Sequence, residues 1–166
     1  IFDAQTIRGI YTVIEPVDVE LPFYKEAVIA PGSNKTHVIE DPETSIRLPR
    51  SHLDSLEINH ADAICAFMSG NSMGEKIEDG STLAIDRGLT QIIDGEIYAI
   101  EHDGMLRIKY LHRLPGNSLR LRSHNRAEYP DEIFRAAQIE EQNIRVLGWV
   151  FWWSTLNKRR PAVPFL

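Results

Sequence analysis

Ser72 is the first residue whose type and setting could do chemistry. It lies between Gly70 and Gly74, in the break between the apolar runs at 61–68 and 82–86. Glycines permit a tight turn, and such a turn can aim a hydroxyl and nearby backbone amides at one point, as a nucleophile and its oxyanion donors require. Serine and glycine also fill ordinary loops. Taken alone, the pattern therefore favours a loop serine.

A serine nucleophile needs a base, and Lys109 is the candidate. It lies among apolar residues in the run 105–111. Burial would lower the pKa of its ammonium group, and a neutral lysine can take the serine proton. Strand alternation, however, puts Met105, Arg107, Lys109 and Leu111 on one face, and alternation by itself favours a solvated lysine. Six histidines leave a Ser–His–Asp triad conceivable. The segment GNSMG at 70–74 has the spacing GxSxG, but a nucleophile elbow joins a strand to a helix, and the next element predicted here is the strand at 82–86.

The elements that must position these residues are short strands. Apolar runs bounded by turn residues predict strands at 61–68, 82–86, 96–101, 105–114, 119–122 and 144–153. Glycine-containing turns are predicted at 102–104 and 115–117. Leucines at helical spacing predict a short helix from Ser51 to Ile58, capped by Ser51. Proline-interrupted residues 1–48 are expected to be an extended arm or linker, and residues 49–166 a mainly β domain with few short helices.

Composition excludes several classes of protein. The chain has 166 residues, a net charge of −6 and one dense basic run at 158–160, so we do not expect it to bind nucleic acid directly. No apolar run reaches the roughly 18 residues that span a bilayer. The histidines are scattered and without HExxH spacing, so we predict no metal and no cofactor. The single cysteine, Cys65, is expected to be a buried, inert thiol, which fits a reducing cytoplasm.

Three blocks resemble the LexA and phage CI-type repressor family of self-cleaving proteins, peptidase family S24. The segment GNSMGEKIEDGSTLAID at 70–86 is similar to the family's serine motif, and residues 94–125 are similar to the hairpin that presents its lysine. The segment VLGWVFW at 146–152 is similar to the terminal strand. Lys109 follows Ser72 by 37 residues, a spacing typical of the family. The resemblance covers about residues 61–153.

The resemblance implies a LexA-like C-terminal domain that forms homodimers or higher oligomers in the cytoplasm. It makes Ser72 the nucleophile, Lys109 its general base, and the backbone amides of Asn71 and Ser72 the oxyanion donors. Met73, the usual residue after the serine, is expected to pack. An upstream helix-turn-helix domain would contact operator DNA, and the start at Ile1 also leads us to expect that this chain is a piece of a longer protein.

The implied function is that of a prophage repressor controlled by the SOS response. In such repressors an activated recombinase filament promotes cleavage of the repressor by itself, which separates the DNA-binding domains from the dimer. The implied enzyme is a serine endopeptidase that acts on its own chain.

The cleavage region departs from the family pattern. Family members normally cut an Ala-Gly or Cys-Gly bond, and this chain has neither. The equivalent arm at 21–32 offers Ala30-Pro31, a poor scissile bond because proline lacks an N–H and restricts the chain. The site of cleavage therefore stays unknown. Two other functions stay open: an oligomerisation domain that retains the dyad residues without cleaving, and a signal-peptidase-like enzyme, against which the lack of a membrane segment argues.

Overall fold

The computed structural model describes residues 17–164. Nine strands form one sheet in the order β2-β1-β3-β4-β9-β5-β6-β7-β8. Neighbouring strands are antiparallel, except that β1 is parallel to β3. The strands are β1 (Asp18–Val28), β2 (Thr36–Pro49), β3 (Ala63–Phe67), β4 (Thr82–Asp86), β5 (Ile97–His102), β6 (Met105–Leu114), β7 (Ser118–Arg122), β8 (Glu132–Phe134) and β9 (Arg145–Ser154). Two short helices, α1 (Arg50–Asp54) and α2 (Ala136–Glu141), complete the fold, and the prediction of a mainly β domain with few short helices is confirmed.

The predicted strands correspond to β3, β4, β5, β6, β7 and β9. The predicted helix begins one residue earlier than expected and ends at Asp54. It follows directly on β2, with Pro49 at its N-terminus and no side-chain cap, so the capping role predicted for Ser51 is wrong. Strand β8 and helix α2 were not predicted, because three residues of strand and six of helix carry too little periodicity.

Residues 18–48 of the predicted arm, together with Pro49, form a long β-hairpin, while residues 1–16 lie outside the described residues. β1 pairs with β2 from Asp18↔Pro49 to Val28↔Thr36 and meets β3 at Phe23↔Cys65. The base of the hairpin is buried through Leu21 and Leu48, so this part of the hairpin packs as part of the sheet. The domain boundary at residues 48 and 49 stays a prediction.

The far end of the hairpin lies against the turn between β5 and β6. Thr36 Oγ1 donates a hydrogen bond to the Gly104 carbonyl at 3.0 Å. Gly104 has a φ of +81°, and a Cβ there would lie 1.7 Å from the Thr36 carbonyl oxygen. Only glycine meets both conditions, which is why the predicted turn at 102–104 needs it.

One core cluster lies directly beneath the loop that carries Ser72. It contains Met73, which is fully buried as predicted, together with Met68, Ile77, Leu83, Ile108 and Val150. Cys65 lies in a second cluster, where burial raises the pKa of its thiol to about 11. A thiol of that pKa carries almost no thiolate near neutrality, and the prediction of an inert cysteine is confirmed.

The aromatic residues of β9 contact all three core clusters of their own chain. Trp153 packs against the cluster beneath Ser72, Phe151 and Trp152 against the cluster that contains Cys65, and Trp149 against two clusters. Each of these four side chains is only partly buried. Both faces of β9 therefore have apolar contacts within the chain and keep apolar area exposed.

Candidate active site

Ser72 lies in the loop that joins β3 to β4. Gly70 enters the loop with a φ of +87°, and its N–H donates to the carboxylate of Asp79 at 2.8 Å. Gly74 approaches Asn71 so closely that a Cβ would lie 2.4 Å from the Asn71 Oδ1 atom. The two glycines therefore permit this tight loop for different reasons, one by its backbone conformation and one by its lack of a side chain.

The half-buried Ser72 has an unengaged hydroxyl and a fixed backbone. Its carbonyl oxygen accepts a hydrogen bond from the Asn125 N–H at 3.0 Å. Within residues 17–164, the Ser72 hydroxyl makes no hydrogen bond, and the N–H groups of Asn71 and Ser72 have no acceptor. Free backbone amides beside a free hydroxyl are what an oxyanion site requires before substrate binds.

Lys109 lies on β6 and is only 3% exposed. Its Nζ atom donates a hydrogen bond to Ser123 Oγ at 2.6 Å and lies 5.5 Å from the centre of the Tyr129 ring. Desolvation, aided by the charge of Arg107 and opposed by that of Glu132, lowers the pKa of Lys109 to about 8. Alternation alone favoured a solvated lysine, and the structure shows a buried one because residues after β7 cover this face of β6.

Ser72 and Lys109 line the same cavity of about 730 Å³. Within the described chain no hydrogen bond joins their side chains, and the Lys109 amine is bonded to Ser123 instead. Three chain segments and two separate residues form the wall. They are residues 23–26 of β1, residues 67–72 from the end of β3 into the loop that carries Ser72, residues 105–109 of β6, Asp41 and Tyr129. The structure thus brings the predicted nucleophile and base to one place while leaving the serine–lysine hydrogen bond unmade.

Strand β1 forms part of the wall of this cavity. The ring centres of Phe23 and Phe67 are 4.7 Å apart, and the Glu26 carboxylate accepts a hydrogen bond from the Leu106 N–H at 2.5 Å. Leu106 is in the first half of β6. One edge of this half pairs with β5, and the opposite edge is not covered by β7, which pairs only with residues 110–114. Glu26 therefore occupies a backbone donor at an open strand edge, the kind of group to which an extended peptide can bind.

The arm-equivalent bond Ala30-Pro31 lies elsewhere. Both residues are exposed in the turn between β1 and β2, and neither lines the cavity. The Ala30 carbonyl accepts a hydrogen bond from the Ser33 N–H at 3.1 Å, so it closes the turn. In this arrangement the bond is not placed before Ser72.

Ser123, Asn125 and Tyr129 belong to the site and were not singled out from the sequence. The predicted turn at 115–117 held a usable signal for Ser123. In a hairpin centred on Gly116, residues at equal distances before and after it lie opposite each other. Lys109 and Ser123 are each seven residues from Gly116, and they lie one position beyond the observed pair Tyr110↔Arg122. No comparable signal marks Asn125 or Tyr129, whose positions depend on the path of the loop before β8.

Residues 22–151 match the Peptidase S24-like family. The chain belongs to this family. The S24 domain is 47% identical over 149 residues to the HTH-type transcriptional regulator PrtR of Pseudomonas aeruginosa, covering 90% of this chain and 58% of that protein. It is 37% identical over 145 residues to the Repressor protein CI of Enterobacteria phage phi80, covering 86% and 59%. The chain thus spans less than two thirds of the length of these curated relatives, and the predicted resemblance to repressors of this family is confirmed.

The two α-helices in the described part of the S24 domain have five and six residues. No helix in residues 17–164 is long and apolar enough to cross a membrane. In the same range, no three His, Cys, Asp or Glu side chains lie together as ligands for a metal ion.

Proposed function

We propose that this S24 domain is the dimerisation and latent self-cleaving half of a prophage repressor. The observation that carries the proposal is that Lys109, buried and with a lowered pKa, lines one cavity with Ser72. A serine hydroxyl and a lysine that is neutral near pH 8 are the two groups that a Ser–Lys peptidase needs. The cavity also contains a strand edge at Leu106, which can pair with an extended peptide once Glu26 leaves its N–H.

The proposed reaction is acyl transfer. Ser72 Oγ attacks the carbonyl carbon of a peptide bond while its proton passes to Lys109 Nζ, and the N–H groups of Asn71 and Ser72 receive the developing oxyanion. The Lys109 ammonium then returns the proton to the leaving nitrogen as the C–N bond breaks. Water hydrolyses the resulting ester and releases Ser72. A peptide in the same protein reaches the cavity at high effective concentration, which favours self-cleavage over cleavage of other proteins.

The observed conformation is a latent state of this site. Lys109 is bonded to Ser123 and β1 occupies the cavity wall, so a scissile peptide binds only after the segment at 23–26 shifts and the Glu26–Leu106 contact opens. We propose that an activated recombinase filament promotes this change during the SOS response. Operator DNA would be bound by a helix-turn-helix domain upstream, and the protein would act in the cytoplasm.

A second function, that of a non-cleaving oligomerisation domain, has its own support. The chain lacks an Ala-Gly or Cys-Gly bond, and Ala30-Pro31 lies in an exposed turn outside the cavity. One experiment separates the two functions. The intact repressor is incubated at alkaline pH and examined for two fragments by intact mass. A self-cleaving repressor yields the pair, whereas a pure oligomerisation domain stays whole.

Ala30-Pro31 is expected to remain intact even where the dyad is active. Proline at the leaving-group side has no N–H with which to bind as a strand, and the Ala30 carbonyl is held in its turn. The measurement is the mass of the 166-residue chain after long incubation at high pH. A new N-terminus at Pro31 would show that the turn opens and that this bond does reach Ser72.

The domain is expected to be a dimer in solution. The aromatic residues of β9 keep exposed area on both faces, and apolar area of this kind favours association. Sedimentation equilibrium at micromolar concentration is expected to give twice the chain mass of 18.9 kDa. A species of 18.9 kDa across that range would contradict the dimer.

A further inference from the structure

We infer that Ser123 is a positioning residue, whose hydroxyl holds the Lys109 amine so that its lone pair faces Ser72. The inference rests on the proposed Ser–Lys chemistry but concerns a different residue, one that no sequence motif marks. Its basis is the contact between Lys109 Nζ and Ser123 Oγ at 2.6 Å, made by two side chains that are 3% and 2% exposed.

The position of Ser123 follows from the β6–β7 register. The ladder between the two strands ends at Tyr110↔Arg122, so the next residues, Lys109 and Ser123, lie opposite each other just beyond the last pair. Side chains at opposite positions of antiparallel strands share a face. The hydroxyl is therefore held at a fixed place by backbone pairing, and the long lysine side chain is held by the hydroxyl.

Hydrogen-bond capacity indicates what the contact does. A neutral lysine amine has two N–H groups and one lone pair, and accepting a proton from Ser72 requires that the lone pair be free. If Ser123 accepts one N–H, the lone pair takes one of the two other positions on the nitrogen and stays free to accept a proton from the cavity that Lys109 lines. Among the described residues, Lys109 Nζ makes no other hydrogen bond, so Ser123 is the group that restricts its rotation.

The charges around Lys109 do not replace this role. Arg107 and Glu132 pair with each other across β6 and β8, and Tyr129 presents its ring face. From the hairpin, Lys25 pairs with Asp41 and Glu26 bonds to Leu106. These groups set the local field, whereas the Ser123 hydroxyl is the one group in residues 17–164 that is placed to orient the amine.

The test compares three variants of Ser123 with one control variant at another buried serine. Ser123→Ala removes the hydroxyl; Ser123→Thr keeps it; Ser123→Val has the shape of threonine without the hydroxyl. The control is Ser81→Ala, which removes another fully buried serine hydroxyl with a 2.6 Å hydrogen bond, here to Thr155, away from Lys109. Thermal unfolding of each variant establishes that it folds. If threonine and valine do not fit, the alanine variant and its control decide.

The first readout is the pKa of Lys109 in the chain itself, followed by NMR of labelled lysine side chains and assigned with Lys109→Met. Loss of an acceptor for the ammonium group disfavours the charged form, so Ser123→Ala is expected to lower this pKa by about 0.5 to 1 unit. Ser123→Thr and the control Ser81→Ala are expected to keep the wild-type pKa of Lys109. Ser123→Val is expected to lower this pKa as Ser123→Ala does. This readout needs no cleavage, so it decides the contact even if the repressor does not cut itself.

The second readout is the pH profile of self-cleavage in the intact repressor. Ser123→Ala is expected to reduce the plateau rate about tenfold and to move the rising part of the profile to lower pH. A merely structural serine would lower stability without moving the profile. Equal pKa values and equal profiles in Ser123→Ala and Ser81→Ala, or equal effects of threonine and valine, would overturn the inference. Absence of cleavage in the wild type would instead overturn the proposed function.

Discussion

The rate of self-cleavage of the intact repressor is expected to fall by at least about four orders of magnitude in the Ser72→Ala variant, and by a similar factor in the separate Lys109→Met variant. The first change removes the atom that attacks the carbonyl, and the second removes the group that takes its proton. Because the two act as a unit, the double variant is expected to be no slower than either single variant. The measurement is the first-order rate of fragment appearance at alkaline pH.

The choice of methionine for Lys109 keeps the experiment interpretable. Methionine fills most of the space of the lysine stem within the buried site, so it avoids the cavity that alanine would leave. The control is Lys76→Met, since Lys76 is exposed and lies over the Trp153 ring, outside the cavity. Unchanged thermal unfolding shows that the fold survives. Cleavage at the wild-type rate in either dyad variant would remove that residue from the mechanism.

The rate of self-cleavage is expected to rise about tenfold for each pH unit from about pH 6 and to level off above about pH 8. The reason is that only the neutral amine of Lys109 can take the serine proton. Its pKa is lowered to about 8, first by desolvation and then by the charge of Arg107. Below that pKa the neutral fraction falls tenfold with each pH unit, and above it the neutral form is already complete.

The same pKa predicts a change in stability that is independent of cleavage. An unfolded lysine titrates near 10.5, so between about pH 8 and pH 10.5 the unfolded chain binds more protons than the folded chain. The contribution of Lys109 to the free energy of unfolding therefore rises with pH across this window and is lost again as pH falls through 8. Comparing Ser72→Ala with Ser72→Ala/Lys109→Met by denaturant unfolding isolates it, because neither protein cleaves. Two results together would exclude Lys109 as the base. One is a cleavage rate that does not change between pH 6 and 9, and the other is a free energy of unfolding that changes equally with pH in the two variants.

The sequence by itself determined the strands and the turns that carry the candidate residues. Strands β3 to β7 and β9 each correspond to an apolar run of strand length between turn residues. Such runs are local properties of the sequence. Gly104 and Gly70 mark backbone conformations that other residues rarely adopt, which is again local. The order and spacing of the Ser72 and Lys109 blocks also belong to the sequence, and they were sufficient to indicate the family.

Only the tertiary structure decided the environment of Lys109. Alternation along β6 leaves its face ambiguous, because burial depends on what covers the strand, and the cover comes from Ser123 and Tyr129 after β7. The lowered pKa depends on that burial and on Arg107 and Glu132, which lie on different strands. Desolvation and charge are sums over neighbours in space, so a linear pattern does not contain them.

The predicted arm shows the same division between what the sequence and the tertiary structure determine. Composition predicted an extended arm for residues 1–48 but not that residues 18–49 form a hairpin paired with β3. It also could not show that residues 23–26, and not Ala30 or Pro31, line the cavity with Ser72. That placement depends on one parallel pairing between residues 42 positions apart, Phe23 and Cys65. Long-range strand pairing is decided by packing of whole faces, and in this protein it determines which peptide segment lies in the cavity beside the serine.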